Sequence, residues 1–139
     1  MTAAHDHAVK PDLTRNQSLV FDTLEDAETP LTAYNILDRL SGEGLRAPLQ
    51  VYRALDKLLD LGMVHRLESL NAFVACRHPG CDGHATVAFT ICENCGKVSE
   101  ITDEALVASL KSLTLGADFV PHKTTVEIRG LCKACQKAT

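Results

Sequence analysis

The sequence predicts an α+β chain in two parts: three helices and a β-hairpin, then a smaller unit of strands around one helix. Three observations carry this. Apolar residues recur at helical spacing in three successive segments before Gly62. Two short strand-like runs follow, joined by a connection of hairpin length. A strand–strand–helix–strand pattern then accompanies two Cys-x-x-Cys pairs.

Taken in order, residues 1–12 are polar and lack an apolar period, so they are expected to form a mobile arm. Thr14 is an N-cap candidate for a helix to about Ala27, with Val20, Leu24 and Ala27 as its stripe; Glu28-Thr29-Pro30 breaks it. Thr32 caps a second helix to about Ser41, with Ile36, Leu37 and Leu40 inward and Gly42 at C′. Pro48 suits the first turn of a third helix. There Val51, Ala54, Leu55, Leu58 and Leu59 give the strongest periodicity in the chain, and Gly62 ends it. The strand-like runs are Met63–Leu67 and Ala72–Ala75. Three helices and a hairpin in this order read as a winged helix-turn-helix, whose third helix enters a DNA major groove. Residues 76–84, rich in Gly, Pro and polar groups, read as a hinge. Beyond them, Thr86–Ile91 and Lys97–Ile101 are strands, and Thr102 caps a helix to about Leu115 with Leu106, Leu110 and Leu113 as its stripe. Lys123–Arg129 is the last strand.

Composition narrows the function classes. Aromatic residues make up only 4% and Trp is absent, so the core is thin and a metal or a partner subunit is expected to support it. No apolar run approaches the ~18 residues of a membrane span, and no signal-peptide core opens the chain, so a cytoplasmic protein with no membrane partner is expected. Residues 1–75 carry 7 Lys/Arg against 11 Asp/Glu, and residues 76–139 carry 7 against 7. Any DNA contact must come from a local arrangement of basic and polar groups, since no broad basic face exists.

In a reducing compartment, paired cysteines point to metal rather than disulfides. Cys92 and Cys95, with Cys132 and Cys135, match a tetrahedral structural zinc site, because two intervening residues let both sulfurs of a knuckle face one ion. The 36 residues between the pairs exceed the roughly 15–20 of a compact zinc ribbon, so a folded segment must lie between them. Around the first pair stand four more residues of ligand type, His65, Cys76, His84 and Glu100. No enzyme and no small-molecule substrate is expected. The His-x-Glu and Pro-Cys-x-x-Cys pairing of zinc deaminases is missing, and Cys92–Cys95 precedes a glycine and a strand rather than opening a helix as a thioredoxin-like motif does.

Five stretches carry a family resemblance: Ala33-Tyr34-Asn35-Ile36-Leu37, Val51-Tyr52-Arg53-Ala54-Leu55-Asp56, Gly62-Met63-Val64-His65-Arg66-Leu67-Glu68-Ser69, Ile91-Cys92-Glu93-Asn94-Cys95-Gly96-Lys97-Val98 and Gly130-Leu131-Cys132-Lys133-Ala134-Cys135. Through them the chain resembles the ferric uptake regulator superfamily over nearly all its length, most closely its zinc-sensing branch, the zinc uptake regulators. The resemblance implies a winged-helix DNA-binding domain over residues 1–75, a hinge over 76–85 and a zinc-stapled dimerisation domain over 86–139. It implies a homodimeric repressor of zinc uptake genes that binds double-stranded, AT-rich palindromic operators when loaded with metal.

It also implies a regulatory zinc site of His65, Cys76, His84 and Glu100, so two Zn²⁺ per chain. One thiolate, two imidazoles and a carboxylate form a borderline-soft set suited to that ion. Cys81, three residues before His84, is an alternative thiolate. The His-rich stretch used by iron and peroxide sensors is replaced by Thr86-Val87-Ala88-Phe89, leaving only His122. For DNA, Tyr52 and Arg53 on the third helix are the groove contacts: a guanidinium can clamp guanine and a Tyr ring can pack on a thymine methyl. Tyr34 is the contact suggested by zinc-sensing relatives. Arg15, Arg46 and Arg66, with Arg39 and Lys57, are phosphate candidates. Two departures from the family pattern are Gln50, where Thr is usual, and Thr14-Arg15-Asn16-Gln17 at the first helix. The alternatives are a regulator of this family sensing iron or manganese, and a zinc-stapled interaction module that does not bind DNA.

Overall fold

The computed structural model describes residues 12–77 and 86–137. Its elements are α1 (Arg15–Asp26), α2 (Ala33–Leu40), a 3₁₀ turn (Ser41–Glu43), α3 (Pro48–Asp60), β1 (Val64–Leu67), β2 (Ala72–Ala75), β3 (Thr86–Cys92), β4 (Val98–Ile101), α4 (Glu104–Gly116), β5 (Thr124–Gly130) and the short α5 (Lys133–Gln136). The expected α+β order is present.

The helices begin where their side chains satisfy the first backbone N–H groups. Thr14 Oγ1 accepts from the Gln17 N–H while Gln17 Oε1 accepts from the Thr14 N–H, and Thr32 and Asn35 repeat this capping box at α2. At α3 the side chain of Gln50 reaches back to accept from the Arg46 and Ala47 N–H groups, at 2.8 and 3.1 Å. Gln17 and Gln50, both at departures from the family pattern, are thus occupied in starting helices. Two expected caps move. Beyond α2 the chain tightens into the 3₁₀ turn, so the left-handed glycine is Gly44, at φ 103°, and not Gly42. At α4 the cap is Asp103, not Thr102, because its carboxylate accepts from both Ala105 and Leu106.

The main core lies among α1, α2 and α3 and is closed by the hairpin. Val20, Phe21 and Leu24 meet Ile36 and Leu40, and Val51, Ala54, Leu55 and Leu58 of α3; Val64, Phe73 and Ala75 complete it. The β1–β2 hairpin is antiparallel, with Val64 opposite Ala75 and Leu67 opposite Ala72. Leu31 and Phe73 exchange both backbone hydrogen bonds, at 3.1 and 2.8 Å, which anchors the hairpin to the α1–α2 connection.

The second sheet has the order β4-β3-β5, β3 pairing antiparallel with β4 and parallel with β5. Parallel pairing requires the crossover that α4 supplies. One face of this sheet packs on the hairpin: Leu67 of β1 joins Phe89 and Ile91 of β3, with Val74 and Val98 against them. α4 finds no such cover. It has no buried residue, Leu106 and Leu110 are only half-buried, and Leu113 is 68% exposed. Leu115, Phe119, Val120, Ile128 and Leu131 are exposed with it. No helix among the described residues is long and apolar enough to cross a membrane.

Leu55 is fully buried at the centre of the helical core. Leu55→Ala is expected to cost roughly 2–5 kcal/mol, read as a lowered urea midpoint by circular dichroism.

Candidate metal centre

The parallel pairing of β3 and β5 assembles the first cluster. It sets Cys92, the last residue of β3, beside Gly130, the last of β5, so the two knuckles leave the sheet side by side. The Glu93 N–H donates to the Gly130 carbonyl at 2.8 Å and locks them. Gly96 takes φ 81° so that its N–H can return to the Cys92 carbonyl, closing the first knuckle. The result gathers the sulfurs of Cys92, Cys95, Cys132 and Cys135 within 4.8 Å of one another.

Their spacing fits a metal. A tetrahedron of sulfurs about 2.3 Å from its centre has edges of about 3.8 Å, and Cys95 Sγ lies 3.8 Å from Cys132 Sγ. All four thiols are free. The Cys95 N–H donates to the Cys92 sulfur at 3.4 Å, and with Cys132 and Asn94 it outweighs burial to hold Cys92 down at about 5. At Cys135 the Asn94 amide, 3.2 Å away, favours the thiolate, but Cys132, Cys92, burial and Cys95 together push it up to about 11. A first thiolate thus comes easily and its neighbours resist adding charge, which is the electrostatic demand a divalent cation meets.

The second cluster draws its residues from the hairpin, the segment after it and the three-stranded sheet. His65 is on β1, Cys76 directly follows β2, and Glu100 is on β4. Glu100 Oε2 lies 3.6 Å from His65 Nε2 and 3.7 Å from Cys76 Sγ. The His65 and Glu100 side chains are each only 8% exposed. Phe89 flanks the imidazole, ring centroids 5.6 Å apart. The Arg77 N–H donates to Glu100 Oε1 at 3.1 Å, and its guanidinium donates to the Ala27 carbonyl at the end of α1. Such bonds orient a ligating carboxylate. Cys76 is disulfide-bonded in this structure, and it can ligate only as the reduced thiolate. His84, the expected fourth ligand, also lies outside the described residues, as do His78 and Cys81. Nothing in the sequence marked Arg77 for this role, because its hydrogen bonds depend on where β4 lies.

On α3, burial of Val51, Ala54, Leu55 and Leu58 turns Tyr52 and Arg53 to the opposite, exposed face, and Tyr34 of α2 is exposed too. Asp56 is also exposed, so the face is mixed rather than basic. Arg46 is exposed. Arg15 is tied to the 3₁₀ turn, its guanidinium donating to the Glu43 carbonyl at 2.8 Å. Arg66 is tied across the hairpin to Asn71 Oδ1 at 3.0 Å.

The fold and clusters define a winged-helix protein with two candidate metal sites, and comparison with known proteins agrees. The model of the Ferric uptake regulator family matches residues 8–129, and the chain belongs to that family. It is 38% identical over 106 residues to the zinc uptake regulation protein of Escherichia coli (strain K12), covering 76% of this chain and 61% of that relative's length. Among solved structures, holo XcZur is 40% identical, with a TM-score of 0.81 over 90% of this chain and 86% of that one. A zinc uptake regulator complexed with zinc and DNA is 32% identical, with a TM-score of 0.84 over 99% and 92%.

Cys92→Ser is expected to lose one bound metal ion per chain and to loosen β3–β5 together, whereas Cys76→Ser should keep that ion. Metal analysis with hydrogen exchange checks this; a Cys92→Ser chain with full metal content would contradict the assignment.

Proposed function

We propose that this chain is a zinc-sensing transcriptional repressor of zinc uptake genes, which binds operator DNA as a homodimer in the cytoplasm when its second cluster is loaded. The observation that carries the reading is the make-up of that cluster: one ligand from the hairpin, one from the segment after it, and one from the three-stranded sheet. Zinc bound by His65, Cys76, His84 and Glu100 would fasten a winged helix over residues 1–75, through a hinge over 76–85, to a dimerisation domain over 86–139. The angle between the two recognition helices of a dimer would then depend on metal. Cys92, Cys95, Cys132 and Cys135 hold the structural zinc.

A thiolate with imidazoles and a carboxylate suits zinc, whereas manganese prefers harder oxygen donors. The uncovered apolar residues of α4 and β5, Leu113, Leu115 and Ile128 among them, support a second copy as partner, because a lone soluble chain rarely leaves so much apolar surface together. Tyr52 and Arg53 supply the groove contacts, Tyr34 meets base or backbone, and Arg15, Arg46 and Arg66 meet phosphates of an AT-rich palindrome. With so little net positive charge, affinity depends on reading two half-sites at once.

Fluorescence anisotropy on an AT-rich palindromic duplex should show binding by reduced protein that rises with Zn²⁺. Binding without zinc dependence would contradict the sensor, and none at all would leave a zinc-stapled interaction module. Cys76→Ser should abolish the zinc response while leaving a folded dimer; an unfolded product would make that site structural. Arg53→Ala should cost about 1–3 kcal/mol at cognate DNA.

A further inference from the structure

The face of the three-stranded sheet that meets the hairpin is organised by one register row. Glu100 of β4 is opposite Phe89 of β3, and Phe89 is opposite Glu127 of β5. Paired residues point to the same face and neighbouring strands lie about 4.8 Å apart, so the row presents three side chains in a line. Glu100 reaches His65 and Cys76 at one end, and Phe89 meets His65 in the middle. At the other end the Glu127 carboxylate takes the hairpin turn itself. The Glu68 N–H donates to Oε2 at 2.7 Å and the Ser69 N–H donates to Oε1 at 3.0 Å.

The turn leaves those two donors free for Glu127. Its internal bonds run from the Leu70 and Asn71 N–H groups to the Leu67 and Glu68 carbonyls, so the two preceding N–H groups point outward as a pair. Successive outward N–H groups form an anion-binding concavity, and both oxygens of one carboxylate fill it. Burial alone would raise the Glu127 carboxyl. The Ser69 hydroxyl and N–H, the Glu68 N–H and the charge of Arg129 outweigh it and hold the group below the ordinary carboxylate range.

We propose that Glu127 is a positioning residue for the sensor, a metal-free anchor that seats the wing on the sheet and so preassembles the His65–Cys76–Glu100 cluster at the other end of the row. The inference rests on the sensing function above for its effect on DNA, but not for its effect on zinc affinity. Without this anchor the described contacts that hold the hairpin on the sheet are those at the cluster and the Leu67–Phe89–Ile91 patch with Val74 and Val98. Part of the zinc binding energy must then go into ordering it, and the regulatory site weakens while the four-cysteine site does not.

The test uses reduced full-length wild type, Glu127→Ala and Glu127→Gln. Hydrogen exchange should show the Glu68 and Ser69 amides protected in wild type and released in Glu127→Ala, with Glu127→Gln, which keeps one acceptor oxygen, protecting one of the two. Competition titration against a zinc chelator should show the weaker site of Glu127→Ala loosened about tenfold, a modest value for a coupling between sites, Glu127→Gln falling between, and one tightly held ion per chain unchanged. Unaltered amide exchange, or altered exchange with wild-type zinc affinity, would overturn the proposal. If Glu127→Ala fails to fold, Glu127→Gln alone decides by the same readouts. If wild-type DNA binding proves indifferent to zinc, the sensing function fails, while exchange and titration still decide the role of Glu127.

Discussion

The contact between the hairpin and the Glu100–Phe89–Glu127 row is the constraint on which the rest of this molecule depends. It is the face across which the helical part and the three-stranded sheet meet. It is also economical: one imidazole, one sulfur and two backbone N–H groups of the hairpin meet two carboxylates and one ring. A small patch of Leu67, Phe89 and Ile91 supports it. An interface this small is weak by apolar burial alone, which suits a joint meant to respond to a ligand.

The four-cysteine cluster makes that joint possible from behind. β3 carries Phe89 on the joint and Cys92 at its end, and β5 carries Glu127 on the joint and leads into the second knuckle. A metal bound at the knuckles would tie the ends of the two strands together at the register their hydrogen bonds already set, and so would support the row. The structural site and the proposed sensing site are therefore not independent, although no ligand is shared.

Electrostatics set the limits on the side proposed to face DNA. Arg15 and Arg66 each give part of their guanidinium donors to Glu43 and Asn71 within the chain, and the exposed face of α3 mixes Arg53 with Asp56. A surface of this kind would hold DNA weakly without sequence-specific contacts, so the proposed recognition would be sensitive to how the two copies of α3 in a dimer are set.

Helix positions, the hairpin and the four-cysteine set were legible in the residues because each rests on local chemistry: apolar periodicity, capping side chains, and two-residue spacing within each knuckle. So was the ligand type of His65, Cys76 and Glu100. The caps that moved did so by one or two residues: the 3₁₀ turn carries the chain past Gly42 to Gly44, and Asp103 takes the helix N–H groups ahead of its neighbour Thr102. The stripe of α4 was legible as an apolar face, but periodicity does not say which chain will cover it. The bond from Arg77 to Glu100 and the row that Glu127 shares with Glu100 left no trace in the order of residues. Their roles depend on β3 pairing with β4 on one side and β5 on the other, and register across strands far apart in sequence is decided only when the sheet forms. The sequence alone thus determined the elements and the kinds of ligand; tertiary structure decided which side chains stand in line, because the spacing of hydrogen-bonded strands, not the spacing of residues, sets who meets the wing.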